Sequence, residues 1–353
     1  MSAYINAIGI AVPPHDIHDA FRDWAGARVA PREAAVFARM ARRSAIRHRW
    51  SVLPPAPGGG SPVAPGGFYD ADPLPGTADR MGIYAREAPA LALEAIRALA
   101  ATADLDGITH LVVASCTGFV APGIDQIVAA ELNLQGVERL LIGFMGCYAA
   151  VAALRSARHI VRSEPAARVL VVAVELSTLH LQSAHTLEPL LAMLQFGDGA
   201  AAALVTGDAQ GLEIDKPFAA TLEDSAALIR WDITDRGFAM HLSGEVPGRI
   251  AAALSDPAFA AHVTGGHPAA AIDAWAVHAG GRSILDAVAN ALALAPDALD
   301  ASRAVLADNG NMSSATLMFV LARLLAGPPV GAGVALAFGP GLAAEGFAFA
   351  SAR

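Results

Sequence analysis

Three residues carry patterns suited to nucleophilic catalysis. Cys147 follows the apolar run RLLIGF and the pair Met145 and Gly146, and precedes the helical run YAAVAALRSARHIVRS. That order sets the thiol on a tight strand-to-helix turn at a helix N-terminus, where roughly half a positive charge favours thiolate over thiol. The plainer reading is a small buried residue packed beside Met145. A nucleophilic cysteine needs a base or a cationic partner. Of the 11 histidines, His278 ends the short strand AWAV and is followed by Ala279, Gly280 and Gly281, which clear space beside it. A structural histidine with both nitrogens satisfied fits the same place. His180, His185, His241 and His262 fall on helical or loop segments with less pattern, and His15, His18, His48 and His110 read as surface residues. Asn311, in DNGNMSSAT, follows Gly310 and precedes Ser313 and Ser314. An amide there can donate to a developing oxyanion, or simply close an Asx turn or cap a helix.

These residues lie far apart in the chain, so only a fold can assemble them. A strand is expected at residues 3–12, stopped by Pro13 and Pro14. A helix follows at 31–43, with Pro31 in the first turn and Arg39, Arg42 and Arg43 near the end. Residues 53–77 are rich in Pro and Gly and form a loop longer than the usual connection, of the kind that borders functional sites. An Ala-rich helix at 84–103 contains Pro89. Strands at 109–115, 139–144, 168–175 and 199–205 then alternate with helices at 123–134, 148–162 and 187–195. After a break at 207–215, a second half holds a strand at 274–277, helices at 283–293 and 313–325, and strands at 333–338 and 345–350. Continuous apolar strands alternating with helices indicate an α/β fold with sheets covered on both faces. Each half reads as a strand–helix layer, which fits a duplicated architecture with an N-terminal half, 1–210, carrying the cysteine and a C-terminal half, 211–353, carrying the histidine and asparagine.

Composition bounds the function. The 353 residues are 54% hydrophobic and 16% charged, which excludes a disordered or fibrous chain. The net charge of −9 argues against nucleic acid as the main partner. The chargeless stretches are broken by Gly and Pro, so no membrane span is expected, and the first residues lack a secretory pattern. Two cysteines, Cys116 and Cys147, make neither a disulfide framework nor a zinc site, which fits a reducing cytoplasm. No metal-ligand spacing is found.

Taken in order, GFMGCYAA, QFGDGAAAALV, WAVHAGGRSILDAV, DNGNMSSAT and AFGPG resemble the type III polyketide synthases, the chalcone-synthase-like branch of the thiolase-fold condensing enzymes. The likeness runs over nearly the whole chain. It implies a thiolase-like duplicated αβαβα layered fold and a homodimer with separate sites, with the helix after Pro122 at its interface. The substrates would be acyl-CoA and malonyl-CoA, with no cofactor beyond these thioesters. It further implies that Cys147 takes a starter acyl group from coenzyme A, that His278 and Asn311 assist decarboxylative condensation, and that the product is cyclised to a resorcinol, pyrone or other phenolic. Phe196 matches one gatekeeping phenylalanine, whereas Met240 stands where the family has the second. Ala279 replaces a usual proline. Arg39 and Arg43 match positions that hold coenzyme A phosphates; a solvated helix face is the plainer reading. Cys116 aligns with a wall position that is often threonine, and His180, Ala192, Trp231 and Ser313 align with other cavity positions. Two rivals share the fold: a ketoacyl-carrier-protein synthase of the single-condensation type, and a non-catalytic relative. The first usually carries HxAN in place of HAGG, and the second usually loses the nucleophile.

Overall fold

The protein is described by a computed structural model that covers residues 2–352. Its elements run as β1 (Tyr4–Ala11), β2 (His15–Asp16), α1 (His18–Gly26), α2 (Pro31–Arg43), β3 (Trp50–Ser51), α3 (Thr77–Ala100), β4 (His110–Ser115), α4 (Ile124–Glu131), β5 (Glu138–Gly143), α5 (Ala149–Ser163), β6 (Val169–Leu176), α6 (Leu187–Met193) and β7 (Asp198–Thr206). The chain continues through β8 (Leu212–Thr221), the hairpin β9 (Ile229–Thr234) and β10 (Gly237–Leu242), α7 (Val246–Ser255), α8 (Pro257–Thr264), β11 (Ala274–Val277), α9 (Arg282–Ala291), α10 (Asp300–Asn309), α11 (Ala315–Leu325), β12 (Gly333–Gly339) and β13 (Ala343–Ser351).

The strand order is β5-β4-β6-β7-β1 and then β8-β13-β12-β11. The same pairing pattern occurs twice. β4 and β6 are parallel, and β6–β7 and β7–β1 antiparallel. Likewise β11 and β12 are parallel, and β12–β13 and β13–β8 antiparallel. The two copies meet where β1 and β8 pair only at Tyr4–Glu213 and Ile5–Leu212. Alternation along each strand supplies two packing faces. On β6, Val169, Val171 and Ala173 join the central layer, while Leu170, Val172 and Val174 join the outer layer built on α3. On β11, Ala274 and Ala276 face the central layer, and Trp275 and Val277 face outward. The central layer is α5 and α11. Every residue of Ala315–Leu321 is buried, and α5 buries Ala149 to Leu154 without a break. A helix apolar all round belongs between two sheets. This is the duplicated αβαβα layering expected of a thiolase-like fold.

Close layer packing is visible at Gly9, where a Cβ would sit 2.1 Å from the backbone nitrogen of Leu99 and 2.4 Å from the carbonyl of Ala95. Backbone on both sides leaves no side chain to yield. Gly9→Ala is expected to destabilise the fold by about 3 kcal/mol, measured as a lower urea midpoint with an unchanged slope.

Several expected boundaries shift. The break at 207–215 is shorter, because β8 begins at Leu212, and the stretch before β11 holds the β9–β10 hairpin and two helices. The helix placed at 84–103 starts at Thr77, with Pro89 accommodated inside it. Helices α1 and α10 were not expected. His18 and His110, read as surface residues, are buried. Arg49 Nε donates to His18 Nδ1, and His110 Nδ1 pairs with Thr109 Oγ1, so both rings find partners inside. β5 is not covered on both faces, for all but one of its residues are exposed.

Candidate functional site

Duplication places the three residues on corresponding elements: Asn311 and Ser313 lie at the Cys147 thiol, and the Asn311 amide bonds to Gly280, two residues after His278. Cys147 sits in a single 3-10 turn, Gly146–Tyr148, that feeds α5. Asn311 sits on the corresponding approach to α11, and His278 follows directly on β11. The two central helices therefore point their starts at one place. The thiol turn depends on Gly146, whose φ of +73° is unfavourable for other residues and whose absent Cβ would lie 2.4 Å from Pro340.

The amide of Asn311 is fixed at both ends. Its Oδ1 accepts from the backbone N–H of Ser313 at 2.9 Å, and its Nδ2 donates to the carbonyl of Gly280 at 3.2 Å. One amide hydrogen remains free. The backbone of Asn311 is held as well, donating to Gln195 O at 2.7 Å and accepting from Gly197 N–H at 3.0 Å. That pairing places Phe196 beside it.

His278 is 2% exposed, and neither ring nitrogen has a hydrogen-bond partner. Buried polar atoms are nearly always paired, so an unpaired imidazole is a functional signal. Burial drives its pKa down to about 3, leaving a neutral ring that can donate one hydrogen. Burial likewise pushes the Cys147 thiol up to about 12, with the Ser313 hydroxyl and the Asn311 amide pulling partly back. Neither group ionises readily alone. An imidazole that took up the thiol proton would create both charges together, and their mutual attraction would offset the cost of burial.

Glu175, at the end of β6, is a buried residue that sequence reasoning did not assign to the site. Its Oε2 accepts from Cys116 N–H and Thr117 Oγ1, and its Oε1 accepts from Ser314 Oγ. Burial raises its pKa to about 7, against the pull of these hydrogen bonds. It ties the end of β4 to the start of α11 directly beside the cysteine turn. A carboxylate closing the apolar run VLVVAV was the available signal.

The aligned cavity positions divide. Phe196, Met240, Trp231, His180 and Ala192 line one mainly apolar cavity with about 80 Å³ of open space. Met240 and Trp231 are direct cross-strand partners on the β9–β10 hairpin. Phe196 and Trp231 meet edge to face at 6.4 Å. His180 is a wall residue with its hydrogen bonds spent: Nε2 donates to Thr117 O and Nδ1 accepts from Phe238 N–H. Its ring stacks on Phe238 at 4.2 Å. Ser313 lies at the thiol and does not line this cavity. Cys116 lies behind it, its sulfur accepting from Gly146 N–H at 3.0 Å. The thiol so supports the cysteine turn.

A second groove, of about 260 Å³, opens between α2, α6 and α9, lined by Met40, Arg43, Leu191, Leu194, Gln195 and Arg282. Gln195 on its wall is next to Phe196, and its carbonyl accepts from Asn311 N–H. Arg43 lines it, while Arg39 is exposed one helical turn earlier and does not. Arg282, which sequence reasoning missed, donates to Arg43 O at 3.2 Å.

A family model described as chalcone and stilbene synthases, N-terminal domain, matches residues 2–209, and its C-terminal-domain counterpart matches 213–352. The α-pyrone synthesis polyketide synthase-like Pks18 of Mycobacterium tuberculosis is 34% identical over 286 residues, covering 77% of this chain and 72% of that protein. Bisdemethoxycurcumin synthase of Oryza sativa is 35% identical over 306 residues, covering 79% and 74%. Among solved structures, PKS-I of the brown alga Ectocarpus siliculosus superposes with a TM-score of 0.86 at 27% identity, over 99% of this chain and 98% of that one. The C-terminal type III polyketide synthase domain of Steely1 from Dictyostelium gives 0.90 over the whole of both chains at 24% identity, a likeness of fold.

Proposed function

The chain belongs to the chalcone and stilbene synthase family, the type III polyketide synthases, and from that premise we propose that Cys147, His278 and Asn311 carry out its condensation chemistry. The observation that carries the assignment is the buried His278 ring with both nitrogens unpaired, beside an asparagine with one free amide hydrogen. Sγ of Cys147, as thiolate, attacks the carbonyl carbon of an acyl-CoA starter and expels the coenzyme A thiolate, which takes up a proton. Malonyl-CoA then loses carbon dioxide, and the electron pair of the broken C–C bond forms an enolate. His278 N–H and Asn311 Nδ2–H donate to the enolate oxygen and stabilise its charge. The enolate carbon attacks the acyl-Cys147 thioester and releases the thiolate. Repeated extension in the cavity yields a polyketide that closes to a resorcinol, pyrone or other phenolic ring. Coenzyme A thioesters are the only small molecules this sequence of steps requires.

The halves divide the labour: residues 1–210 bring the nucleophile and residues 211–353 bring both donors. The groove lined by Gln195 would take coenzyme A, with Arg43 and Arg282 meeting its phosphates; Arg39 does not line it. No helix in the described residues is long and apolar enough to cross a membrane.

The unpaired edge strand β5 exposes Leu140 and Leu141 at 43% and 45%, beside Phe119 at 48%. An apolar strand edge of this kind invites a partner, and a second copy of the chain, packed along β5 and α4, would complete a homodimer. Leu141→Arg is expected to weaken that dimer by about 100-fold. Light scattering across a dilution series would show monomer, and an unchanged dimer would place the interface elsewhere.

The function itself is tested by incubating the protein with free malonyl-CoA and short, long and aromatic acyl-CoA starters, with products identified by mass. Products stepping by ketide units are expected. Condensation only with a malonyl-carrier protein would favour the single-condensation reading.

A further inference from the structure

Most polar side chains on the wall of the apolar cavity spend their hydrogen bonds on the protein. Ser51 Oγ pairs with Thr178 Oγ1, Tyr69 Oη donates to Thr178 O, and Thr178 Oγ1 also donates to Asp198. His180 is satisfied at both nitrogens, and Gln182 Nε2 donates to His180 O and Arg236 O.

Three donors on the same wall do not. Arg49 Nη2, Ser177 Oγ and Trp231 Nε1 are each buried without a partner, and all three residues line this one cavity. Arg49 is 1% exposed. Its other donors are committed: Nε to His18 Nδ1, and Nη1 to Met193 O and Phe196 O. No carboxylate lies within ion-pair distance of its guanidinium among the described residues. Arg49 thus holds the carbonyl of the gate residue Phe196 with one nitrogen while keeping another free beside the cavity. Trp231 stands opposite Met240 on the hairpin, and both residues line the same space. Orphaned buried donors are costly to a fold and call for an acceptor.

We propose that this cavity selects starter acyl groups that carry a hydrogen-bond-accepting oxygen, a hydroxyl or a carboxylate, at the end remote from the thioester, with Trp231, Ser177 and Arg49 as the residues that recognise it. The proposal rests on the polyketide synthase reading and names the substrate class for that site. A saturated hydrocarbon starter would cover the three donors and leave them unpaired. A site built to bond an oxygen rejects the analogue that lacks it far more strongly than an apolar pocket rejects an added group.

The test uses starters matched in carbon skeleton: hexanoyl-CoA against 6-hydroxyhexanoyl-CoA, and heptanoyl-CoA against 6-carboxyhexanoyl-CoA, each with malonyl-CoA. The readout is the ratio of kcat/KM within each pair. The wild-type ratio is expected to favour the oxygenated member by about tenfold or more. Trp231→Phe keeps the ring and removes the N–H, and Ser177→Ala removes the hydroxyl; each is expected to lower that ratio by about fivefold. Equal or better use of the saturated starters overturns the proposal. So does a ratio unchanged in both variants, including the case in which they alter only product length. Absence of condensation with every starter would instead remove the functional reading on which the proposal stands.

Discussion

A Cys147→Ala variant is expected to form no covalent acyl-enzyme and to lose ketide products by at least about 10³-fold. The readout is intact-protein mass after exposure to acyl-CoA: one acyl group on the wild-type chain and none on the variant. The chain has only two thiols, and both are buried. They differ in position. Cys147 is on the turn that feeds α5, where the Ser313 hydroxyl and the Asn311 amide pull its pKa partly back down. Cys116 faces the backbone of Gly146 and the Glu175 carboxylate, and burial with that negative charge pushes its pKa well up. Cys116→Ala should therefore still accept an acyl group. Its cost should fall on the cysteine turn, which loses the acceptor for Gly146 N–H. Acylation that survives in Cys147→Ala and vanishes in Cys116→Ala would reverse the assignment.

That contrast shows how the site was legible and where legibility ended. Cys147, His278 and Asn311 each follow a strand or helix end and have a glycine within two residues, a local pattern readable one residue at a time. The approach of Asn311 to the Cys147 thiol was not readable. It arises because β4–β6 and β11–β12 repeat one topology and bring the starts of α5 and α11 together, and the sequences of the two halves do not advertise that symmetry. Trp231 and Met240 were named from alignment, but their common cause is a hairpin register that pattern alone had not marked as strand. The segment before β11 alternates weakly and carries charge, so its strands depend on tertiary pairing more than on propensity. Glu175, Arg49 and Arg282 were missed for a related reason. A charged residue looks solvent-facing until the partners that satisfy it, such as Cys116, Thr117 and Ser314 for Glu175, are seen across the fold.

The variant that tests the chemistry most sharply is His278→Ala. At rest, burial favours the neutral forms of both groups, with Cys147 raised and His278 lowered. A lone thiolate in this pocket has no countercharge, and Glu175 nearby opposes it further. In the proposed mechanism the imidazole supplies the missing cation when it takes the thiol proton. Removing it should slow alkylation of Cys147 by iodoacetamide at neutral pH by about tenfold or more and move the reaction toward alkaline pH. The sign follows from the charges: without His278 the thiolate forms only by losing its proton to solvent, which higher pH favours. Malonyl-CoA decarboxylation should fall by about 10²–10⁴-fold, because one of two donors to the enolate oxygen is gone. Asn311→Ala should spare alkylation far more than decarboxylation, since its main task lies at that oxygen. The two variants thus separate thiolate formation from enolate stabilisation. An alkylation profile in His278→Ala that overlays the wild type would show that the cysteine turn, and not the histidine, sets the reactivity of the thiol.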